Sequence, residues 1–287
     1  MKRFVPLIIL LWTTAVNAGS ADSLFVEQVL QKYAFLTSED SSLCNPGRLT
    51  AAIGREFLGR PYVGGTLEVY APDETLVVNT REVDCTTFVD QVLALALTVI
   101  NGQTSYADFC HWLTKLRYRD GKIDGYASRL HYFTDFVYEN DEWLKPLPFA
   151  DDNRYPLQKV TLSYMSTHSD SYPALKENPR AVSLIRDVES RYVCYPVRYI
   201  PKDKTSLFSL LREGDVVALL TTVKGLDVSH LGIVVEEQGE LRLLHASSAA
   251  GKVLVEPRSL IALLGTRKSC PGIRVVRLNE SITRKKE

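Results

Sequence analysis

The sequence predicts an α+β protein: a buried, cysteine-bearing helix packed on a C-terminal antiparallel sheet, with a helical and irregular insertion between them. Three patterns lead there. Apolar residues recur at helical spacing in the first third of the chain, no long periodic run crosses Gln103 to Lys204, and from Glu213 onward the period becomes two. With 287 residues, 45% hydrophobic and 24% charged, the chain has ample core and an ordered composition. Charge is balanced at 34 basic and 34 acidic residues with no basic patch, which argues against nucleic acid as a partner.

Residues 1–18 read as a secretory signal peptide. Lys2 and Arg3 precede the apolar run Phe4 to Val16, which is too short to span a bilayer, and Val16-Asn17-Ala18 fits a small-residue cleavage site. No later stretch is long and apolar enough for stable membrane insertion after cleavage. The remainder, 19–287, reads as a single catalytic domain with a core of about 23–102 and 205–278 and an insertion of about 103–204. Export makes the odd cysteine count informative. If Cys85 is a free thiol, Cys44, Cys110, Cys194 and Cys270 allow two disulfides in three pairings, or all are reduced and buried.

Ser23 to Leu36 and Leu49 to Leu58 are the first helices, the second stopped by Gly59-Arg60-Pro61. Leu67 to Tyr70 and Thr75 to Asn79 read as short strands around the turn Ala71-Pro72-Asp73-Glu74. From Cys85 to Ile100, eleven of sixteen residues are apolar or Cys, so this helix has little surface to give to water. Asp84 and Thr86 suit its start, and Asn101-Gly102 its end. The insertion holds eleven of the fourteen tyrosines and short helices at Tyr106 to Leu116 and Pro179 to Glu189. Tyrosine suits a cleft wall because it has an apolar face and a polar tip, although any single one is more commonly half-buried packing. Asp215 to Leu220, Leu231 to Glu236, Leu241 to Ser247, Val253 to Glu256 and Ile273 to Leu278 are strands. Thr283 to Glu287 reads as a solvated tail.

A cysteine in the first turn of a buried helix has a plain reading as a small buried hydrophobe. The alternative is a nucleophile, because free N–H groups and the positive end of the helix dipole stabilise a thiolate and lower its pKa. That chemistry needs a base. His230 and His245 flank the hairpin Leu231 to Ser247, and a turn centred between Gln238 and Gly239 sets Gly232 opposite His245. His230 and His245 then share one face, where Gly232 leaves room for the ring. Cys85, His230 and His245 meet as a triad if the helix packs on that face. His111, His131 and His168 fit a structural role better. Metal binding by Cys85, His230 and His245 is disfavoured by the helix-start setting, so no metal or cofactor is expected. The chain also lacks a phosphate loop, a Cys-x-x-Cys pair and a His-Glu-x-x-His pattern.

Five short motifs occur in a familiar order: Pro61-Tyr62-Val63-Gly64-Gly65, Asp84-Cys85, Gly214-Asp215-Val216-Val217, Ser229-His230-Leu231-Gly232-Ile233 and Leu244-His245-Ala246. Together they resemble the NlpC-type papain-like cell-wall cysteine hydrolases. Asp84-Cys85-Thr86-Thr87-Phe88-Val89 with Ser128-Arg129-Leu130-His131-Tyr132 looks like the branch described as N-acetylmuramoyl-L-alanine amidase-like, formerly catalogued as a domain of unknown function. The resemblance covers about Gly54 to Leu278. Thr86-Thr87 replaces the usual Ser-Gly, and the tyrosine-rich insertion is additional. The resemblance implies Cys85 as nucleophile, His230 as base, His245 as orienting residue, Tyr62 assisting substrate or oxyanion, and Asp84 and Ser229 at the stem-peptide end. Arg129 and Tyr132 are then assigned to the glycan side. It implies a periplasmic or secreted bacterial amidase acting on peptidoglycan or muropeptides. The other outcomes are cleavage inside the stem peptide, between D-Glu and the diamino acid, or a non-catalytic muropeptide-binding module.

Overall fold

The computed structural model describes residues 20–69, 73–148 and 152–281. The signal-peptide stretch and the tail lie outside them. The helices are α1 Ser20–Glu39, α2 Pro46–Arg55, α3 Cys85–Ile100, α4 Tyr106–Arg117, α5 Phe133–Glu139, α6 Tyr164–Thr167, α7 Pro179–Ser190 and α8 Leu260–Thr266. The strands are β1 Leu144–Leu147, β2 Leu157–Val160, β3 Tyr195–Arg198, β4 Ile200–Pro201, β5 Val216–Leu220, β6 Val228–Glu237, β7 Glu240–Ser247, β8 Lys252–Val255 and β9 Gly272–Leu278. This is a mixed α+β fold built on an antiparallel sheet of order β1-β9-β5-β6-β7-β8, with β4 also on β9.

α3 is the pivot. The Asp84 carboxylate accepts from the N–H groups of Thr86 and Thr87, and the Thr87 hydroxyl returns to the Asp84 N–H, closing a capping box. Thr87 to Val99 are all buried, so the helix is enclosed all round. It packs against α1, α2 and α4 on one side and β6 and β7 on the other. Leu231, Ile233, Val235 and Leu244 join this core. Val234, Leu243, Val217 and Leu219 point to the other face of the sheet, where α8 covers them with Leu260, Leu263 and Leu264.

The five C-terminal strands lie close to where alternation places them. The β6–β7 register is Glu236 opposite Leu241 and Val234 opposite Leu243, as the turn chemistry predicts. Gln238 (φ 56°) and Gly239 (φ 77°) supply the two left-handed residues of a tight hairpin turn. Two expected strands are absent: Leu67 to Val69 and Thr75 to Asn79 are irregular, and Tyr70 lies outside the described residues. Their carbonyls bond to side chains instead of a neighbouring strand. Leu67 O accepts from Arg129 Nη1 (2.8 Å), Thr75 O from the Tyr118 hydroxyl (3.1 Å), Val77 O from Arg117 and Asn79 O from Gln91 Nε2 (3.2 Å).

The segment 103–204 is woven into the sheet, since β1 and β4 both pair with β9. It also has a satellite core of Tyr132, Leu162, Met165, Ile185, Tyr192 and others. All five cysteines are unpaired: Cys110 and Cys270 are buried, Cys44 and Cys194 exposed, and Cys85 is intermediate. Among the described residues no helix is long and apolar enough to cross a membrane.

Candidate active site

The cap that starts α3 delivers Cys85 to a small pocket of about 140 Å³. The same pocket is lined by Ser229, His230 and Leu231 from β6 and by Leu130, His131, Tyr132 and Phe133 from the insertion. His230 Nε2 lies 2.6 Å from His245 Nδ1, with the rings edge-on at 85°. Gly232 makes this possible, since a Cβ there would sit 3.0 Å from the His245 Cβ and 2.7 Å from the Leu243 Cγ.

The histidines and the helix do not share a face of the sheet, contrary to the expectation from sequence. His230 is opposite Leu219, whose side chain belongs to the cluster under α8, whereas α3 packs on the Leu231 and Ile233 side. The cysteine reaches the pocket at the strand ends instead. The ladder between β6 and β7 ends at Ile233–Leu244, and the Leu231 N–H faces the Cys85 sulfur. A β-bulge reinforces the opening: Leu219 pairs with His230 but Leu220 pairs with Val228, leaving Ser229 as the extra residue.

Electrostatics at the sulfur also differ from the helix-start expectation. Burial and the adjacent Asp84 carboxylate push the Cys85 thiol up to about 11, against the pull of the Leu231 N–H. Burial pushes His230 down to about 3, helped by His245, and His245 down to about 4 against the pull of Glu256. At neutral pH the resting site is therefore thiol and neutral imidazoles, with no preformed ion pair.

The remaining candidates divide. The Tyr62 hydroxyl is near Cys85 and Asp84, and burial first and those two groups next raise its pKa, so it stays a neutral donor. Ser229 lines the pocket and is exposed. Tyr132 lines the pocket, but its hydroxyl donates to Glu189 (2.6 Å) and accepts from the Met165 N–H (2.8 Å). Arg129 does not line this pocket. It clamps the irregular segment through Leu67 O and Glu68 (2.8 Å each), lies 4.7 Å over the Tyr126 ring, and borders a separate cavity of about 800 Å³.

Two features escape the sequence reading. His131 lines the cysteine pocket, with Nε2 2.9 Å from Tyr126 O, and burial holds it neutral, down to about 3. Glu256 lies behind His245, its Oε2 3.7 Å from His245 Nε2 and its Oε1 2.6 Å from Arg258 Nε. The signal for Glu256 was available, because it follows the strand that pairs with His245.

Fold and pocket define an α+β protein whose helix-start cysteine opens on a histidine pair. Residues 52–273 match the family described as AmiA-like, N-acetylmuramoyl-L-alanine amidase-like, and the chain belongs to that family. A crystal structure of an N-acetylmuramoyl-L-alanine amidase from Bacteroides uniformis is 37% identical, with a TM-score of 0.77 over 82% of this chain and 99% of that one. A Bacteroides fragilis structure described as "a putative xylanase" is 43% identical, with a TM-score of 0.74 over 79% of this chain and 100% of that one. A Legionella pneumophila protein, 23% identical with a TM-score of 0.65 over 91% of this chain and 97% of that one, shares the fold. No curated protein matches the chain.

Proposed function

We propose that this protein is a secreted, bacterial cell-wall amidase of papain-like, NlpC-type architecture that hydrolyses the bond between N-acetylmuramic acid and L-Ala in peptidoglycan or its fragments. The observation that carries the reading is the 2.6 Å contact between His230 and His245 beside the pocket that Cys85 opens. Cys85 attacks the lactyl carbonyl of the muramic acid while its proton passes to His230. His245 holds the His230 ring and its tautomer. The oxyanion is met by the Cys85 N–H and the Tyr62 hydroxyl. His230 returns the proton to the departing L-Ala nitrogen, and water activated by the same ring hydrolyses the thioester. No cofactor enters these steps. Asp84 and Ser229 lie at the stem-peptide end of the cleft.

The amidase choice rests on who builds the pocket. Leu130 to Phe133 of the insertion line the pocket together with Cys85, and a muramoyl group has to be admitted there. The domain plan follows: one catalytic domain over 19–287, whose core of 23–102 and 205–278 carries the reacting groups and whose insertion shapes the cleft. Glycan hydrolysis fits less well, because it needs two available carboxyl groups. Both carboxylates of the pocket are committed: Asp90 to Arg117 (2.8 Å) and Asp227 to the Thr134 N–H and hydroxyl (2.6 and 2.8 Å).

A disaccharide-peptide with its products analysed by mass tests the proposal. Free disaccharide plus intact stem peptide is expected. Disaccharide still carrying L-Ala and D-Glu would instead assign the stem-peptide endopeptidase, and binding without turnover a muropeptide-holding module.

A further inference from the structure

The two ring nitrogens of His245 face different partners. Nδ1 meets His230 Nε2 at 2.6 Å, and Nε2 is a buried atom with no hydrogen-bond partner, 3.7 Å from Glu256 Oε2. His245 is 1% and Glu256 6% exposed, so water screens this pair little. Glu256 is held at both ends: its backbone N–H donates to Leu243 O (2.8 Å), and Arg258 Nε donates to its carboxylate Oε1 (2.6 Å). Burial works against the charge on Glu256, but the Arg258 contact outweighs it and keeps the carboxyl below its usual range.

Only one arrangement of protons leaves His230 able to act as a base toward the cysteine. Its Nδ1 has to be bare, so Nε2 carries the proton and donates it to His245 Nδ1. His245 is then protonated on Nε2, and that N–H points at the Glu256 carboxylate. In the opposite arrangement a bare His245 Nε2 would set its lone pair against the carboxylate, and His230 would be protonated on the wrong nitrogen. We infer that Glu256 is a positioning residue of this site, selecting the Nε2–H tautomer of His245 and through it the base-competent tautomer of His230, with Arg258 as its anchor. The inference deepens the reading of Cys85, His230 and His245 as the reacting set and rests on it.

At 3.7 Å the contact is too long for a hydrogen bond, so in the resting enzyme the carboxylate acts through its field. As His230 takes up a proton in the reaction, the positive charge spreads toward His245 and the contact shortens. The same carboxylate then stabilises the charge that develops.

The test uses the whole protein with its histidines labelled with 15N. In the wild type, both His230 and His245 are expected to show the nitrogen shifts of the Nε2–H tautomer at pH 7. In Glu256→Ala, the His245 signals move toward a mixture of tautomers, and kcat on the disaccharide-peptide falls roughly tenfold to a hundredfold with little change in KM. Unchanged tautomers together with unchanged kcat overturn the inference, as does a wild-type His245 found in the Nδ1–H form. Should Glu256→Ala fail to fold, the isosteric Glu256→Gln decides, since it removes the charge and keeps the shape; wild-type kcat there refutes the role. The nitrogen shifts need no substrate. A protein that cleaves no muropeptide therefore refutes the proposed function, while the tautomer result still judges Glu256.

Discussion

Gly232→Ala probes the spacing that brings the two histidines together. The added Cβ would lie 2.7 and 2.8 Å from the Leu243 Cγ and Cδ1 and 3.0 Å from the His245 Cβ. Neither neighbour can move aside freely, because Leu243 is 0% and His245 1% exposed. Overpacking of this kind costs about 1–3 kcal/mol, and restricting the unfolded glycine offsets only about 0.4–1 kcal/mol of it. With two sub-3 Å contacts the net loss is about 1–2 kcal/mol, which for a chain of this size lowers Tm by roughly 2–8 °C. The effect on turnover is larger than that loss suggests. A push of a few tenths of an ångström lands on His245, whose 2.6 Å contact orients His230. A fall in kcat of roughly tenfold or more is expected, with KM changed less. Thermal denaturation followed by circular dichroism gives the first quantity, and initial rates on the disaccharide-peptide the second. A lowered Tm with wild-type kcat would show that the strand spacing does not hold the site; an unchanged Tm would refute the packing argument itself.

Cys85→Ser is expected to abolish hydrolysis with Tm close to wild type, and wild-type turnover in that variant would rule out a cysteine mechanism. His230→Ala should lose nearly all turnover and His245→Gln less, because an amide can still bond the neighbouring ring; the reverse ranking in kcat would exchange base and orienter. Acid should destabilise the fold through buried histidines. Burial first, with Arg129 beside His131 and Arg267 beside His230 and His245, holds the three at about 3, 3 and 4, with Glu256 pulling His245 the other way and Arg258 adding to the depression. The unfolded chain binds these protons near pH 6.5, so their stabilisation is complete above that value and is lost as pH falls toward 3–4. Denaturant titrations at pH 7.0 and 4.5 check the sign, and an acid limb of kcat/KM near pH 6.5 rather than near 3–4 would contradict the buried neutral pair.

What could be read in advance was whatever a local rule decides. The bounds of α3 follow from Asp84 and Asn101, whose own side chains and backbone make the caps, although the hydroxyl that closes the capping box belongs to Thr87 and not to the expected Thr86. The β6–β7 register follows from Gln238-Gly239, because a two-residue turn leaves one pairing. What failed was non-local. Thr75 to Asn79 has the composition of a strand, yet Arg117, Tyr118 and Gln91, distant in sequence, take its carbonyls. Alternation placed His230 and His245 on one face correctly but could not say which face α3 covers. That is settled by the apolar sets on each side, Leu231 and Ile233 against Val234 and Leu243. Leu144 to Leu147, with a proline in a four-residue strand, gives almost no periodic signal, and only its pairing with β9 makes it one.

The state of the sulfur changes how Cys85 is to be recognised in solution. A helix start suggests a thiolate that outruns other cysteines toward alkylating reagents. Here the thiol is pushed up to about 11, chiefly by burial and then by Asp84, and the adjacent imidazole is too weak a base to ionise it at rest. Proton transfer then accompanies attack on a bound carbonyl and does not precede it. At pH 7.5 Cys85 should therefore react with iodoacetamide more slowly than Cys44 and Cys194, which are exposed and serve as controls within the same molecule. Peptide mapping after timed quenching measures all three together. Its rate should rise steeply with pH beyond 9, where a thiolate begins to form. Slow labelling is thus what an active enzyme of this design gives, and it does not mark a dead one. Preferential labelling of Cys85 below pH 7 would show the opposite, a thiolate paired with an imidazolium, and would overturn the neutral resting site.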